Sequence, residues 1–214
     1  MGKSIQEVIT KIKGGMSMST MYEVTFEFGR DATALANNIK SATGEGVNWG
    51  TDGLITMLCS EAQLPNVSSL TGQTNNVYMG EGQVNYAYNR LFTDISLGWL
   101  CDKDMTPLKF LQEWHDFIYT STYIDTKNQG RSQSTSRVKY PVEYEGTIKI
   151  RKLTQSTGRT EVSPITYILV GAFPHSIDAT PLSYGSSQVV NVSASFYYTR
   201  YFVDTPAADV DYSR

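Results

Sequence analysis

Two histidines, two cysteines and a closely spaced pair of glutamates are the first side chains to test for chemistry in this sequence. Glu143 and Glu145 sit in an alternating segment. On a strand, both carboxylates would share one face, which is how a glycosidase acid pair is presented. The same alternation also builds an ordinary solvated or interface face, the reading preferred here. His115 lies beside an apolar helical stripe, and His175 follows Phe173-Pro174 in what reads as a turn. No carboxylate or cysteine spacing completes a metal-ligand set around either, so both read as packed or surface imidazoles. Cys59 and Cys101 are far apart and read as free thiols. No G-x-S-x-G elbow presents a serine. The run from Gly44 to Gly50 misses the dinucleotide-binding spacing and lacks the flanking strand and helix. Gly80-Glu81-Gly82 reads as a flexible turn. The residues therefore predict a protein that is not an enzyme and takes no cofactor or metal.

Composition narrows the class. A chain of 214 residues has room for a sizeable core. Only 18% of its residues are charged, so much of the surface is expected to lie against partners. The 14 tyrosines suit sheets and interfaces. A net charge of −3 argues against a dedicated nucleic-acid binder, which needs clustered lysine and arginine. The opening residues carry no leader pattern, and no run of about 18 apolar residues spans a membrane. The expected compartment is cytoplasm-like, unless the protein leaves as part of an assembly. The sequons at Asn66 and Asn191 then read as chance.

The strongest local signal runs from Tyr88 to Thr120. Leu91 to Leu100 reads as a strand, with Asp94 and Ser96 alternating with Ile95 and Leu97. A turn follows, and Thr106 with Pro107 marks a helix start. Phe110, Leu111, Trp114, Phe117 and Ile118 then form one apolar stripe, predicted to pack across a β-sheet. Further strands are expected over Met21–Phe28, Leu54–Cys59, Val142–Leu153, Ile165–Phe173 and Val190–Tyr201. In the first, Tyr22, Val24, Phe26 and Phe28 oppose Glu23, Thr25 and Glu27. Ile168-Leu169-Val170 is apolar on both faces, which predicts a central strand. Residues 66–90 read as an extended loop or long hairpin with exposed aromatics, while 30–53 and 121–139 read as loops. Ile5, Val8, Ile9 and Ile12 make a short amphipathic arm ended by Gly14-Gly15, too short to stand alone. The expected fold is mainly β: six to eight antiparallel strands with one packed helix.

Lys127, Arg131, Arg137, Lys139, Lys149, Arg151, Lys152 and Arg159 make one basic segment, whereas Asp204, Asp209 and Asp211 lie near the other end. Such a chain can pair head to tail with its own copies. A solvated strand face is the alternative.

The order of these pieces resembles the tail tube proteins of contractile-tailed bacteriophages. Tyr22-Glu23-Val24-Thr25-Phe26 is similar to the family's first strand, and Cys59 with Leu64-Pro65 to its strand exit. Phe92-Thr93-Asp94, then Asp104, leads into Phe110-Leu111-Gln112-Glu113-Trp114, which resembles its F-x-x-x-W helix. Gly171-Ala172-Phe173-Pro174 followed by Ile177, and Val189 to Tyr201, resemble its last strands. The resemblance covers about residues 16–204.

It implies an antiparallel β-sandwich or half-barrel whose copies form stacked hexameric rings around a channel. The implied division is an arm at 1–15, one tube domain at 16–204 and a tail at 205–214. The implied partners are the protein itself, the sheath, the baseplate and tape-measure proteins, with DNA passing unread and no membrane. The implied location is the virion, after assembly in the host cytoplasm. Ring-to-ring contacts are expected at Ile5, Val8, Ile9, Ile12, Tyr78, Met79, Tyr86 and Tyr88. Glu23 and Glu27 are candidates to face the lumen. The long loops leave open a tube-initiating or terminating paralogue, or a tailocin or type VI-like tube. Outside the family, the tyrosine, tryptophan and asparagine content fits a carbohydrate-binding β-sandwich.

Overall fold

The computed structural model describes residues 17–44, 48–51, 53–75, 82–119, 138–154, 162–178, 180, 182, 185 and 189–205. The arm, the residues around Tyr78 and Met79, most of 121–139 and the tail lie outside them.

β1 (Tyr22–Phe28) pairs antiparallel with β6 (Gly146–Thr154), which pairs with the long strand β7 (Val162–Ile177). β7 is the hub. Its first half also carries β9 (Arg200–Asp204), and its second half carries β8 (Asn191–Tyr197). The order continues through β5 (Ile95–Leu100) to β2 (Cys59–Ala62). β7 changes partners next to Gly171, where φ is +69° and Thr199 Oγ1 sits only 2.6 Å from where a Cβ would stand. Any side chain there would be strained and crowded. β3 (Val67–Asn75) and β4 (Gln83–Phe92) form a separate two-stranded ribbon.

The expected central strand is thus borne out at β7, and the expected helix at α3 (Thr106–Tyr119). All five residues of its apolar stripe are buried. Phe110 and Trp114 reach the core face of the sheet, with Phe26 5.3 Å and 6.0 Å from their rings and Phe196 5.9 Å from Trp114. Trp114 Nε1 donates to Tyr144 O at 2.9 Å, so its one polar atom is satisfied in the interior. The helix begins at Thr106, whose N–H and hydroxyl both donate to the Asp102 carboxylate at 2.7 Å. Desolvation pushes that carboxyl up, but these two bonds, with its own backbone N–H and the nearby Lys109, hold it below its ordinary value. Asp102, which the sequence pattern did not single out, is therefore the anchor of the helix start.

Three expectations are corrected. Residues 30–53 are not a plain loop: α1 (Thr33–Thr43) buries Leu35 and Ile39, one helical turn apart. Leu54–Cys59 is not a strand: α2 (Leu54–Met57) comes first, and β2 starts only at Cys59. Val142–Tyr144 belongs to a helical turn, α4 (Pro141–Tyr144), opened by Pro141, and the strand begins at Gly146. The single-helix expectation falls with them. Three smaller expectations also move. Leu91–Leu100 divides between β4 and β5, Val190–Tyr201 divides between β8 and β9, and His175 lies within β7 rather than in a turn.

Trp114→Ala should lower the unfolding free energy by ~3–5 kcal/mol, and Asp102→Ala by about 1 kcal/mol. Urea titration followed by tryptophan fluorescence and circular dichroism measures both.

Candidate assembly interface

The catalytic readings lose their geometry first. Glu143 Oε2 accepts from the N–H of Tyr140 at 3.2 Å, and Glu145 follows the helix rather than sharing a strand face with it. Among the described residues no three histidine, cysteine or acidic side chains gather as metal ligands. His115 packs on Tyr119, with ring centroids 5.1 Å apart. His175 stacks on Tyr197 at 3.9 Å, with its Nε2 3.6 Å from Asp94 Oδ2.

What stands out is backbone without partners. The β3–β4 ribbon runs in register from Val67 opposite Phe92 to Asn75 opposite Gln83, with Tyr88 as the bulged residue between Leu70 and Thr71. Every residue of β4 before Phe92 is exposed. Tyr86 and Tyr88 are 52% and 63% exposed, and Val67, Leu70, Val84 and Leu91 are exposed with them. The ring of Tyr86 fills the space that a side chain at position 72 would need, its nearest atom lying 2.7 Å from an ideal Cβ on Gly72. A ribbon with two solvated faces is marginal by itself. Its root is well held: Phe92 packs on Tyr198 and Tyr201 at 6.0 and 5.7 Å, and the Tyr198 hydroxyl donates to Asn66 O at 3.3 Å. A stiff root with an uncovered shaft is the form of an element built to be covered by something else.

The face of β1 and β6 turned away from the core carries the charges. Arg151 donates to Glu23 at 3.0 Å and Lys149 to Glu27 at 2.6 Å. Lys152 donates to the carbonyls of Met18 and Met21, the latter at 2.6 Å. Lys139 covers the Phe117 ring at 3.6 Å. The described part of the basic segment is thus engaged within its own subunit, which favours the strand-face reading over head-to-tail pairing. Glu23 and Glu27 do share one face, as expected, but it is neutralised rather than acidic.

Two sheet borders complete the surface. No described strand pairs with the outer edge of β9. β1 and β2 approach without pairing, bridged where the Tyr22 hydroxyl donates to Cys59 O at 3.3 Å. Between them lies an open cleft of about 670 Å³ lined by Tyr22, Glu23, Met57, Cys59, Ser60 and Arg151, among others. Burial pushes the Cys59 thiol up to about 12. Burial, and then the neighbouring Cys59, raises the Tyr22 phenol to about 12.

The phage tail tube protein family model matches residues 17–204. The chain belongs to this family. The tail tube family is a structural one, and the protein is not an enzyme. No curated protein sequence matches it. Its fold is similar to that of a chain in the anti-feeding prophage baseplate, with a TM-score of 0.51 and 11% identity over 89% of this chain and 97% of that one. It is equally similar to one in the PVC extracellular contractile injection system sheath–tube complex, with a TM-score of 0.51 and 12% identity over 96% and 100%. Identities this low show the shared fold alone. Tyr86 and Tyr88 stand exposed where the sequence placed them, while Ile5, Val8, Ile9, Ile12, Tyr78 and Met79 lie outside the described residues. The β9 border, the Tyr198–Tyr201 clasp and the β1–β2 cleft had no sequence signal, because each arises from register and sheet order.

Both raised groups are neutral in the folded tube protein and ionise more readily once it unfolds. The unfolded chain then binds fewer protons, so stability is fully present below about pH 9 and falls as pH rises toward 12. Cys59→Ala should flatten part of that decline in urea midpoints measured across the window.

Proposed function

We propose that this chain is the tube subunit of a contractile bacteriophage tail, stacking as hexameric rings around a channel through which DNA leaves the capsid. The β3–β4 ribbon carries the reading: its apolar residues and its backbone gain cover only when a second copy lies against them. Its function is self-assembly, templated by the baseplate and gauged by a tape-measure protein, inside a sheath. Assembly takes place in the host cytoplasm, and the product is part of the virion. The segment carrying Ile5, Val8, Ile9 and Ile12, together with Tyr78 and Met79, adds to the contact between rings.

The outer face of β1, β6, β7 and β9 is the surface we assign to the lumen. Its described ionic side chains balance, with Glu23, Glu27 and Asp204 against Lys149, Arg151 and Arg200. Such a wall neither binds nor strongly repels a polyanion in transit. A second reading, the tube of an extracellular injection system, is favoured by the similarity to the anti-feeding prophage and PVC chains. It differs in cargo and in genomic neighbourhood more than in assembly.

Negative-stain electron microscopy of the purified protein should show rings and stacked tubes, and a monodisperse monomer at high concentration would contradict the reading. Tyr86→Ser with Tyr88→Ser should leave a folded subunit, because neither side chain is buried, yet cut the sedimenting polymer at least several-fold. Deleting residues 1–13 should do the same. Normal tube yield from the tyrosine variant would remove the ribbon from the contact.

A further inference from the structure

The cleft between β1 and β2 lies close to where the described chain begins, at Ser17. Met18 is pinned two residues before Thr20, which lines the cleft. Lys152 Nζ donates to Met18 O and to Met21 O, the latter at 2.6 Å, and Met21 N–H closes back on Met18 O at 3.4 Å. Tyr22 lines the cleft from β1, and Thr56, Met57 and Cys59 line it from α2 and β2. Apolar groups are uncovered on both sides. Met57 is 69% exposed, Leu54 is exposed one turn earlier on α2, and Met18 is exposed before β1. Glu61 stands near the Tyr22 phenol, itself exposed to solvent.

Residues 1–13 lie outside the described residues, and their sequence complements this surface. Ile5, Val8, Ile9 and Ile12 recur at helical spacing, in a segment too short to be stable without cover. Lys3, Lys11 and Lys13 outnumber Glu7 around that stripe. Tether length decides whose surface the segment meets first. The chain from Lys13 to Met18 spans at most about 17 Å, and Gly14-Gly15 lets it turn back sharply within that length. Ile9 and Ile12 are thereby held close to the cleft of their own subunit. Their effective concentration there is on the order of millimolar, which a separate copy in dilute solution does not match.

We propose that in the dispersed subunit residues 1–13 fold back as a helix onto the subunit's own β1–β2 cleft, seating Ile9 and Ile12 against Met57 and Tyr22 and bringing Lys11 and Lys13 towards Glu61. The apolar stripe and the exposed Met57 then cover each other, and charges of opposite sign meet at the rim. A single copy thus carries no bare apolar segment before assembly. Stacking exchanges this contact for one on a neighbouring copy, as in a domain swap. That exchange rests on the tube reading above, whereas the docking within one subunit does not.

Trypsin tests the docking, because Lys11 and Lys13 are themselves cleavage sites. Full-length protein is taken as the monomer from size-exclusion chromatography at low concentration, and its first cuts are timed by mass spectrometry. Ile9→Asp on the segment and Met57→Asp in the cleft should each speed cleavage after Lys11 and Lys13 at least fivefold. Val142→Asp, at an exposed position on α4, is the control and should leave the rate unchanged. Circular dichroism reports that each variant is folded. Cleavage unaffected by both test variants would overturn the docking. Acceleration by only one of them, or by the control as well, would overturn the cleft as its seat. A disulfide assigns the copy and decides the case in which an aspartate variant fails to fold. In a Cys59→Ser, Cys101→Ser background, the monomer carrying Ile9→Cys and Met57→Cys is oxidised. A link within one chain supports the proposal, and links only between chains, or none, overturn it. Every measurement uses the monomer, so a wild type that forms no rings would overturn the tube reading and leave this one standing.

Discussion

Backbone hydrogen bonds left unmade among the described residues are the constraint on which the rest of this structure turns. An amide pair facing water loses little, but a long ribbon and two sheet borders left bare together invite pairing with another chain. Natural sheets normally blunt such borders with charge, proline or a covering loop. Here the blunting is selective. Trp49 caps one amide of β1, while no described strand pairs with the outer edge of β9.

The interior supplies the stiffness that such pairing needs. Phe26, Trp99, Phe110, Trp114 and Phe196 are each at most 1% exposed and lie ring against ring. α3 is pinned at its start by Asp102 and in its middle by the indole bond to Tyr144. A close-packed core of this kind does not deform gradually. It fixes the twist of β1, β6 and β7.

Much of the frame was legible because its patterns are strong. The stripe from Phe110 to Ile118 has one helical reading, β8 alternates cleanly from Asn191 to Tyr197, and Ile168 to Val170 is apolar on both sides. The misreadings came from weak or ambiguous patterns. α1 buries only Leu35 and Ile39 among polar neighbours, a stripe too thin to see beside nearby glycines. Leu54 to Cys59 is a short apolar run of the kind that fits a helical turn or a strand equally well. Alternation around Glu143 and Glu145 suggested a strand, although Pro141 was a helix-start signal in plain view. The exposure of Tyr86 and Tyr88 was legible because they sit in a polar stretch. The cleft, the Trp49 cap and the β9 border were not, since they follow from which strands end up side by side.

Residue-resolved hydrogen exchange on the dispersed subunit and on assembled tubes tests the central claim most directly. The account predicts that core amides of β6, β7 and β8 exchange alike in both states. It predicts that amides along the β3–β4 ribbon, together with the outer edge of β9, exchange fast in the subunit and become protected in the tube. Amides of the ribbon and of β9 that are as slow in the dispersed subunit as in the polymer, or as fast in the polymer as in the subunit, would contradict it.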